Sequence, residues 1–576
     1  MSEKDGNKNV LLGLDIGTQS TKGILYNSNT QTIVARSAST YPLDDNPPDA
    51  PKGRAEQRPH KWIKAMHIVF SNLSSIIQEK EYKLIGVGVS GQQHGMVALN
   101  EKFDVVRSAK LWCDVEANQE AMQFSKDASD LLKDLNEERK QRRGSVNKKR
   151  KLDGSDNFDG SSNWSIPAGF TVPKVLWMKK NEPELWKQVR WVVLPHDYIN
   201  LCLRTGFGSN LQAYESKTES FSINGIIPTT DAGDASGSGI LDPLTQEYLP
   251  ELANLIDPKY STMLPQILPP NTICGKLSSS WRKILLGSFD KSTDEIVISV
   301  GSGDNMCSAL GTACTTPGKA VLSLGTSGTI FGISSSPVRT GTTVAPFCDA
   351  SGNYLPLVCT MSCTSVLESM LDTYGGQDGK NKRTTHEDAT LAAQKVDAGC
   401  NGLTFLPYLG GERTPDWPHA TGALLGMTST NMKLMTENLC GYTYRAALEG
   451  ITFGLKDALS QMQEACSGDG KEGFCPKEIM VVGGGAKNKF WRQMLSDVLG
   501  VSLRFPLESE SAALGAAFQA GAAASGLSVA EYIGMQKIHI EDVIVRPTTN
   551  KTTSEMYKKA YQRYIDLSRK LFATAS

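Results

Sequence analysis

Val10-Leu11-Leu12-Gly13-Leu14-Asp15-Ile16-Gly17-Thr18-Gln19-Ser20-Thr21-Lys22-Gly23-Ile24-Leu25-Tyr26 is the stretch on which the reading of this chain turns. An apolar run enters, a turn of Gly, Thr and Ser follows, and a second apolar run leaves. The pattern predicts a strand, a tight turn and a returning strand. A turn of this composition offers backbone N–H groups and hydroxyls to an anion. Asp15 stands where a divalent cation beside phosphates would take an oxygen ligand. The same residues also fit an ordinary hairpin with a polar tip, and a short Gly motif alone does not separate the two readings.

The pattern returns once. Ser323-Leu324-Gly325-Thr326-Ser327-Gly328-Thr329, continuing into Ile330-Phe331-Gly332-Ile333, again sets a Gly-Thr turn between apolar runs, now without an acid. Two copies of one strand–turn–strand unit, one per half, predict a duplicated domain. If a nucleotide lies between the halves, the copy with Asp15 is the metal end. Ile85 to Ser90, Val189 to Leu194, Glu295 to Val300 and Ile479 to Val482 read as buried strands, and His60 to Glu79 as a helix. Such alternation predicts an α/β fold with sheets covered by helices. Arg139 to Ser162 is basic, then rich in Gly, Ser and Asp, and is expected to be a mobile loop. Its Lys148-Lys149-Arg150-Lys151 run fits a solvated loop, a nuclear signal or an anion-binding patch. Gly375 to Glu387 is a second polar insertion, and Asp231 to Gly239 reads as a third loop.

A chain of 576 residues is long for one core and implies two or more domains. Lys and Arg number 60 against 61 Asp and Glu, a balance that gives no reason to expect a nucleic-acid or acidic-surface partner. The polar start, Met1-Ser2-Glu3-Lys4-Asp5, lacks the apolar segment of a signal peptide, and no apolar run is long enough to cross a bilayer. The cysteines are scattered without CxxC spacing, so neither a zinc site nor a disulfide framework is expected, and the cytoplasm is the expected compartment.

Three further motifs can carry chemistry. Ser90-Gly91-Gln92-Gln93-His94-Gly95-Met96 follows a buried strand, which sets it at a strand's carboxyl end, where α/β sites lie. Gln and His side chains can bond hydroxyls and a carbonyl of a ligand. Gly301-Ser302-Gly303-Asp304-Asn305 also follows a strand. Its Asp fits a helix N-cap or a carboxylate held at a sharp turn. Val482-Gly483-Gly484-Gly485-Ala486-Lys487-Asn488 joins a strand to a helix, either as a tight connection or as a place where a ligand passes close to backbone. In that helix Phe490, Met494, Leu495 and Val498 recur at core spacing, and Ala512 to Ala517 reads as a small-residue packing helix.

Leu111-Trp112-Cys113-Asp114, the segment Pro167 to Trp177, Pro195-His196-Asp197-Tyr198, Pro407 to Pro415 and Gly422 to Met427 complete an ordered set. From about Val10 to about Ala523 the chain resembles the FGGY carbohydrate kinase family, within the actin, Hsp70 and hexokinase-like superfamily. The resemblance implies an α/β fold of two duplicated actin/hexokinase-like (ribonuclease H-like) domains flanking a central cleft. The halves would be 9–300 on the sugar side and 301–576 on the nucleotide side. It implies ATP-dependent phosphorylation of D-xylulose at its 5-hydroxyl, with Mg²⁺ bridging phosphate oxygens and Asp304 as general base. Gln93, His94, Trp112, Asp114, Asp304 and Asn305 would bind sugar. Gly17, Thr18, Ser20, Lys22, Gly325, Thr326, Gly410, Gly484, Gly485 and Asn488 would bind nucleotide. Asp15 and Asp304 would hold the metal, directly or through water. The segments Pro167 to Trp177 and Pro195 to Tyr198 read as scaffold. Many relatives carry a basic residue two positions after the Trp-x-Asp acid, where this chain has Glu116. The expected partners are a small sugar and ATP, with no nucleic acid or membrane, in a monomer or homodimer. The alternatives are a family member acting on ribulose, glycerol or another polyol, a nucleotide-binding member that transfers no phosphate, and an actin- or Hsp70-like ATPase. The sugar-side motifs argue against the last, and the intact Asp15 and Asp304 against the second.

Overall fold

A computed structural model describes residues 8–573 apart from 48–49, 52, 145–163, 217, 219–224, 288–293, 339–342, 375–383 and 468–473. Two sheets organise it. Across the first run Thr32–Thr40, Ser20–Asn27, Asn9–Ile16, Lys83–Gly91, Val297–Ser299 and Ile273–Lys276, with Ser302–Gly303 attached to the end of Lys83–Gly91. Across the second run Ala345–Cys348, Tyr354–Thr360, Gly328–Gly332, Lys319–Leu324, Glu478–Val482 and Ser502–Arg504. Apart from one added edge strand in each, both sheets have the same plan. An antiparallel meander of three strands leads to two strands that run parallel to its first strand. The duplication expected from the two Gly-Thr turns is therefore present as topology, and both turns sit at the carboxyl end of the first strand of their sheet.

The first strand is buried almost throughout because helices cover both its faces. On one side lies His60–Lys80, whose Trp62, Ile63, Met66, Val69, Phe70, Leu73 and Ile77 recur at helical spacing and are fully buried. On the other lies Ser511–Ser525, a helix of small residues from the second half of the sequence. It approaches so closely that a Cβ on Gly13 or Gly88 would sit 1.9 Å from the carbonyl oxygens of Ala513 and Ala516. The same helix crosses Asp304–Gly311, where a Cβ on Gly515 would meet the Cys307 carbonyl oxygen at 1.8 Å.

Four expectations change. Val189 to Leu194 contributes only Trp191–Val193, paired with Val97–Leu99 in a ribbon outside both sheets, because Pro195 at once opens a helix. Asp231 to Gly239 is no loop: it holds the end of strand Thr229–Asp231, a helical turn Ala232–Ala235 capped by Asp231, and a 3-10 turn, all buried. Its small residues permit close packing, and from composition alone they look like loop residues. Residues 139–144 continue the helix Asn118–Gly144, while the rest of the basic segment, Lys148 to Lys151 included, lies outside the described residues. Of the second insertion, 375–383 lies outside them too, and His386–Ala393 is a helix capped by Thr385.

Candidate active site

Asp15 is the penultimate residue of strand Asn9–Ile16, beside Ser90 on the parallel neighbour, whose hydroxyl donates to Asp15 Oδ1 at 3.0 Å. Burial pushes its carboxyl up to about 6, against the pull of Lys22 and the Ser90 hydrogen bond. The turn that follows is pinned on all sides. Gly17 N–H donates to Ser20 O, Tyr41 OH donates to Gly17 O, and Gln57 Nε2 donates to Thr18 O. The Thr18 hydroxyl accepts from Trp112 Nε1 at 3.0 Å and donates to Gln92 Oε1 at 3.1 Å, tying the turn to both sugar-side motifs.

Asp304 opens the helix Asp304–Gly311 directly after Ser302–Gly303, which pairs with Ser90–Gly91. It is thus brought to the same sheet end as Asp15. Its neighbours Gly303 and Met306 are buried, whereas Asp304 and Asn305 keep part of their surface exposed. Asp304 Oδ1 accepts from the Asn305 N–H at 2.8 Å and from Asn305 Nδ2 at 3.0 Å, and Asn305 Nδ2 also donates to Gln93 Oε1 at 2.7 Å. Burial, followed by repulsion from Asp15 and Asp234, pushes the Asp304 carboxyl up to about 8.

His94 sits one residue past Gln93 with a left-handed φ of 62°. Its ring stacks on Phe170 at 4.7 Å and lies 5.3 Å from Phe347, an aromatic contact made across the two halves of the chain. Burial, with the charges of Lys174 and Arg413, holds its imidazole well below the usual range, so the ring is neutral. Beneath Asp304 lies a buried set that the sequence did not single out. His196 Nδ1 and Asp234 Oδ2 are 2.6 Å apart, Ser302 donates to Asp231 at 2.7 Å, and Asp231 caps the Asp234 N–H at 3.0 Å. In the sequence Phe170 and His196 lie in segments that read as scaffold, and Asp231 to Gly239 reads as loop. The Asp-x-x-Asp spacing of a capped helical turn is the signal that could have marked the latter.

On the second sheet the turn after Lys319–Leu324 is closed by Gly325 N–H to Ser327 O. The hydroxyls of Thr364 and Ser365, at the start of a helix, donate to the carbonyls of Gly325 and Thr326. Gly483 follows the adjacent strand with φ 92°, and a Cβ there would meet Leu324 O at 2.6 Å. Gly484 and Gly410 have open space where a side chain would be. A cavity of about 360 Å³, with Met370, Phe405, Leu409 and Leu439 among its walls, opens beside Gly410.

Several expected contacts are already engaged elsewhere. Asp114 is fully buried and accepts from Ala55 N–H and Lys110 Nζ, both at 2.9 Å, so it anchors its loop and does not face the cleft. Glu116, the departure noted above, takes Arg54 through both oxygens and Lys110 at 2.7 Å. Burial would raise its carboxyl, but these two cations outweigh it and lower the pKa. Glu56, Asp114 and Glu116 lie close enough to share an ion, yet Lys110, Arg54 and Arg107 already neutralise them. Lys22 pairs with Glu510 at 2.7 Å. Asn488 caps the helix Lys489–Leu499 and donates to Thr390, and Phe490 in that helix is only half-buried.

The FGGY family of carbohydrate kinases matches through its N-terminal domain over residues 10–153 and 140–311 and through its C-terminal domain over 320–524. A xylulose kinase of Haemophilus influenzae is 30% identical over 96% of this chain and 98% of its own length. The chain belongs to the FGGY carbohydrate kinases. It is a sugar kinase of the actin and hexokinase-like fold. A xylulose kinase of Escherichia coli is 28% identical over 96% of the FGGY chain and 99% of its own length. Among solved structures, a kinase of Brucella ovis described as a xyloylose kinase superposes with a TM-score of 0.77 at 25% identity, covering 98% of this chain and 99% of its own. A Plasmodium falciparum glycerol kinase with ADP superposes at 0.73 with 17% identity, covering 97% and 98%, a likeness of fold alone. Among the described residues of this FGGY kinase no helix is long and apolar enough to cross a membrane.

Proposed function

We propose that this kinase transfers the γ-phosphoryl group of ATP to the 5-hydroxyl of D-xylulose. The observation that carries the reading is the hydrogen-bonded run Asp304–Asn305–Gln93, beside neutral His94, at the sheet end that also presents Asp15 and its turn. The relatives named xylulose kinases support the choice of sugar. A sugar hydroxyl is a weak nucleophile, and Asp304 would accept its proton as it attacks phosphorus. Asn305, holding both Asp304 Oδ1 and Gln93 Oε1, fixes base and sugar-side amide in one geometry. Neutral His94 bonds hydroxyl or carbonyl oxygens without competing as an acid. Residues 9–300 and 301–576 serve as the sugar and nucleotide sides. The Gly17 to Ser20 and Gly325 to Thr326 turns flank the phosphates, and Gly410 and Gly484 leave room for adenosine, while Gly485, packed against Trp491 and Leu324, would meet it through its backbone.

The donor set fits Mg²⁺. Asp15 and Asp304 are two hard oxygen donors at one sheet end, and each is held above the usual carboxylate range, Asp304 in part by the charge of Asp15. Asp15 and Asp304 would hold a divalent cation, directly or through water, whose charge would relieve that repulsion. Bound with ATP, the ion would neutralise charge on the phosphate oxygens.

ATP consumption across D-xylulose, ribulose, other pentoses, polyols and glycerol tests the reading, with Asp304→Ala as control. D-xylulose should be the preferred acceptor. Asp304→Ala should lose about 10²–10⁴ in turnover, the range for a general base, while still binding nucleotide. Preference for glycerol or a polyol, or near-normal turnover in the variant, would sink it.

A further inference from the structure

Lys174 lies in the segment Pro167 to Trp177, read from the sequence as scaffold only. It lies in the helix Thr171–Asn181 and is completely buried. Among the described residues no carboxylate lies within ion-pair distance of its ammonium. Its partners are two backbone carbonyls: Nζ donates to His94 O at 2.7 Å and to Gly169 O at 2.6 Å. The Thr171 hydroxyl, one helical turn earlier, donates to the same His94 oxygen at 3.3 Å. Burying an ammonium against carbonyls stabilises a fold less than an apolar side chain of that size would. Burial in fact pulls this ammonium down to about 7, with Asp114 opposing.

One carbonyl belongs to the His94 loop, and the other to Gly169, which abuts the Trp112 loop. His94 holds a left-handed φ of 62°, which turns its carbonyl away from the path of a regular strand and is unfavourable for a side-chain-bearing residue. Gly169 abuts the other loop: a Cβ there would lie 2.5 Å from Trp112 O. Gly237 closes the remaining side, since a Cβ there would lie 1.8 Å from His94 Nδ1. The ring is thus held by Phe170 and Gly237, and the backbone by Lys174 and Thr171.

We propose that Lys174 is a positioning residue for the acceptor site. Its buried ammonium, acting through the His94 and Gly169 carbonyls, holds His94 in its left-handed turn and ties the His94 loop to the Trp112 loop. Lys174 itself does not touch sugar. This rests on the reading of His94 as a sugar contact.

The test is a double-mutant cycle read as KM for D-xylulose, kcat at saturating sugar, and ADP affinity. Lys174→Met should raise the sugar KM about tenfold, with a smaller change in kcat and ADP affinity within about twofold. In a His94→Ala background the same change should add less than about twofold, because its route to the sugar is gone. Should Lys174→Met fail to fold, Thr171→Val removes the second donor to the same oxygen and should raise the KM about threefold, and Thr171→Ser should restore it. An unchanged KM in folded Lys174→Met, or an equal effect in both backgrounds, overturns the role. A wild-type enzyme that phosphorylates none of the sugars removes the underlying reading instead, which separates the two failures.

Discussion

Asp304 sits at an electrostatic disadvantage that its proposed role requires. Its carboxyl is raised to about 8 by burial and by the charges of Asp15 and Asp234. A carboxyl raised in the folded state binds its proton more tightly there than in the unfolded chain. Its ionised form therefore weakens the fold progressively as pH rises from the unfolded value near 4 towards 8. Asp304→Asn should melt above the wild type, with the gain larger at pH 8 than at pH 5, while losing kinase activity. Calorimetry at the two values checks this, and a gain independent of pH would contradict it. The placement of Asp304, Asn305, Gln93 and His94 at strand ends was legible because each motif is a short contiguous run after a strand. The partners of Asp114, Lys22 and Asn488 were not legible, for the opposite reason. Lys22 and Asn488 are engaged by Glu510 and Thr390, far away in sequence, and Asp114 is turned inward to Lys110 and the distant Ala55 N–H.

The elements around the site are fixed by close approach as much as by hydrophobic pattern. The helix Ser511–Ser525 reaches the first sheet only because Gly13 and Gly88 lack side chains at the contact. Gly88→Ala should cost about 1–3 kcal/mol or more, as overpacking against backbone does. Gly484→Ala faces open space. It should stay within about 0.5 kcal/mol of wild type but raise the KM for ATP. Denaturant midpoints and ATP kinetics on the pair separate packing from binding, and equal loss of stability in both would refute the distinction. The sequence showed that the helix from Ala512 packs closely. It did not show that it packs on the sheet of the other half, because small residues say how near a partner comes and not which partner it is.

At the scale of the whole molecule, two like sheets place their turns about one cleft. The tilted ring contact of His94 with Phe347, and the Cys348 N–H donated to Ser236 at 2.9 Å, join the halves beside the Gln93-His94 motif. A kinase that excludes water from ATP is expected to close such a cleft on its ligands. Small-angle X-ray scattering should show a smaller radius of gyration with D-xylulose and a non-hydrolysable ATP analogue together than with neither. Identical curves would mean a cleft that does not close. The sequence by itself determined the duplication, the strand–turn–strand units and the contiguous motifs that hold Asp15, Asp304, Gln93 and His94, since these are set by local periodicity and by residues adjacent in the chain. Only the tertiary structure decided which polar groups face the cleft and which are turned inward. It also revealed the buried His196–Asp234 pair beneath Asp304 and the Lys174 contact behind His94. Those depend on groups brought within about 3 Å from distant parts of the chain, a hydrogen-bond range no sequence pattern encodes.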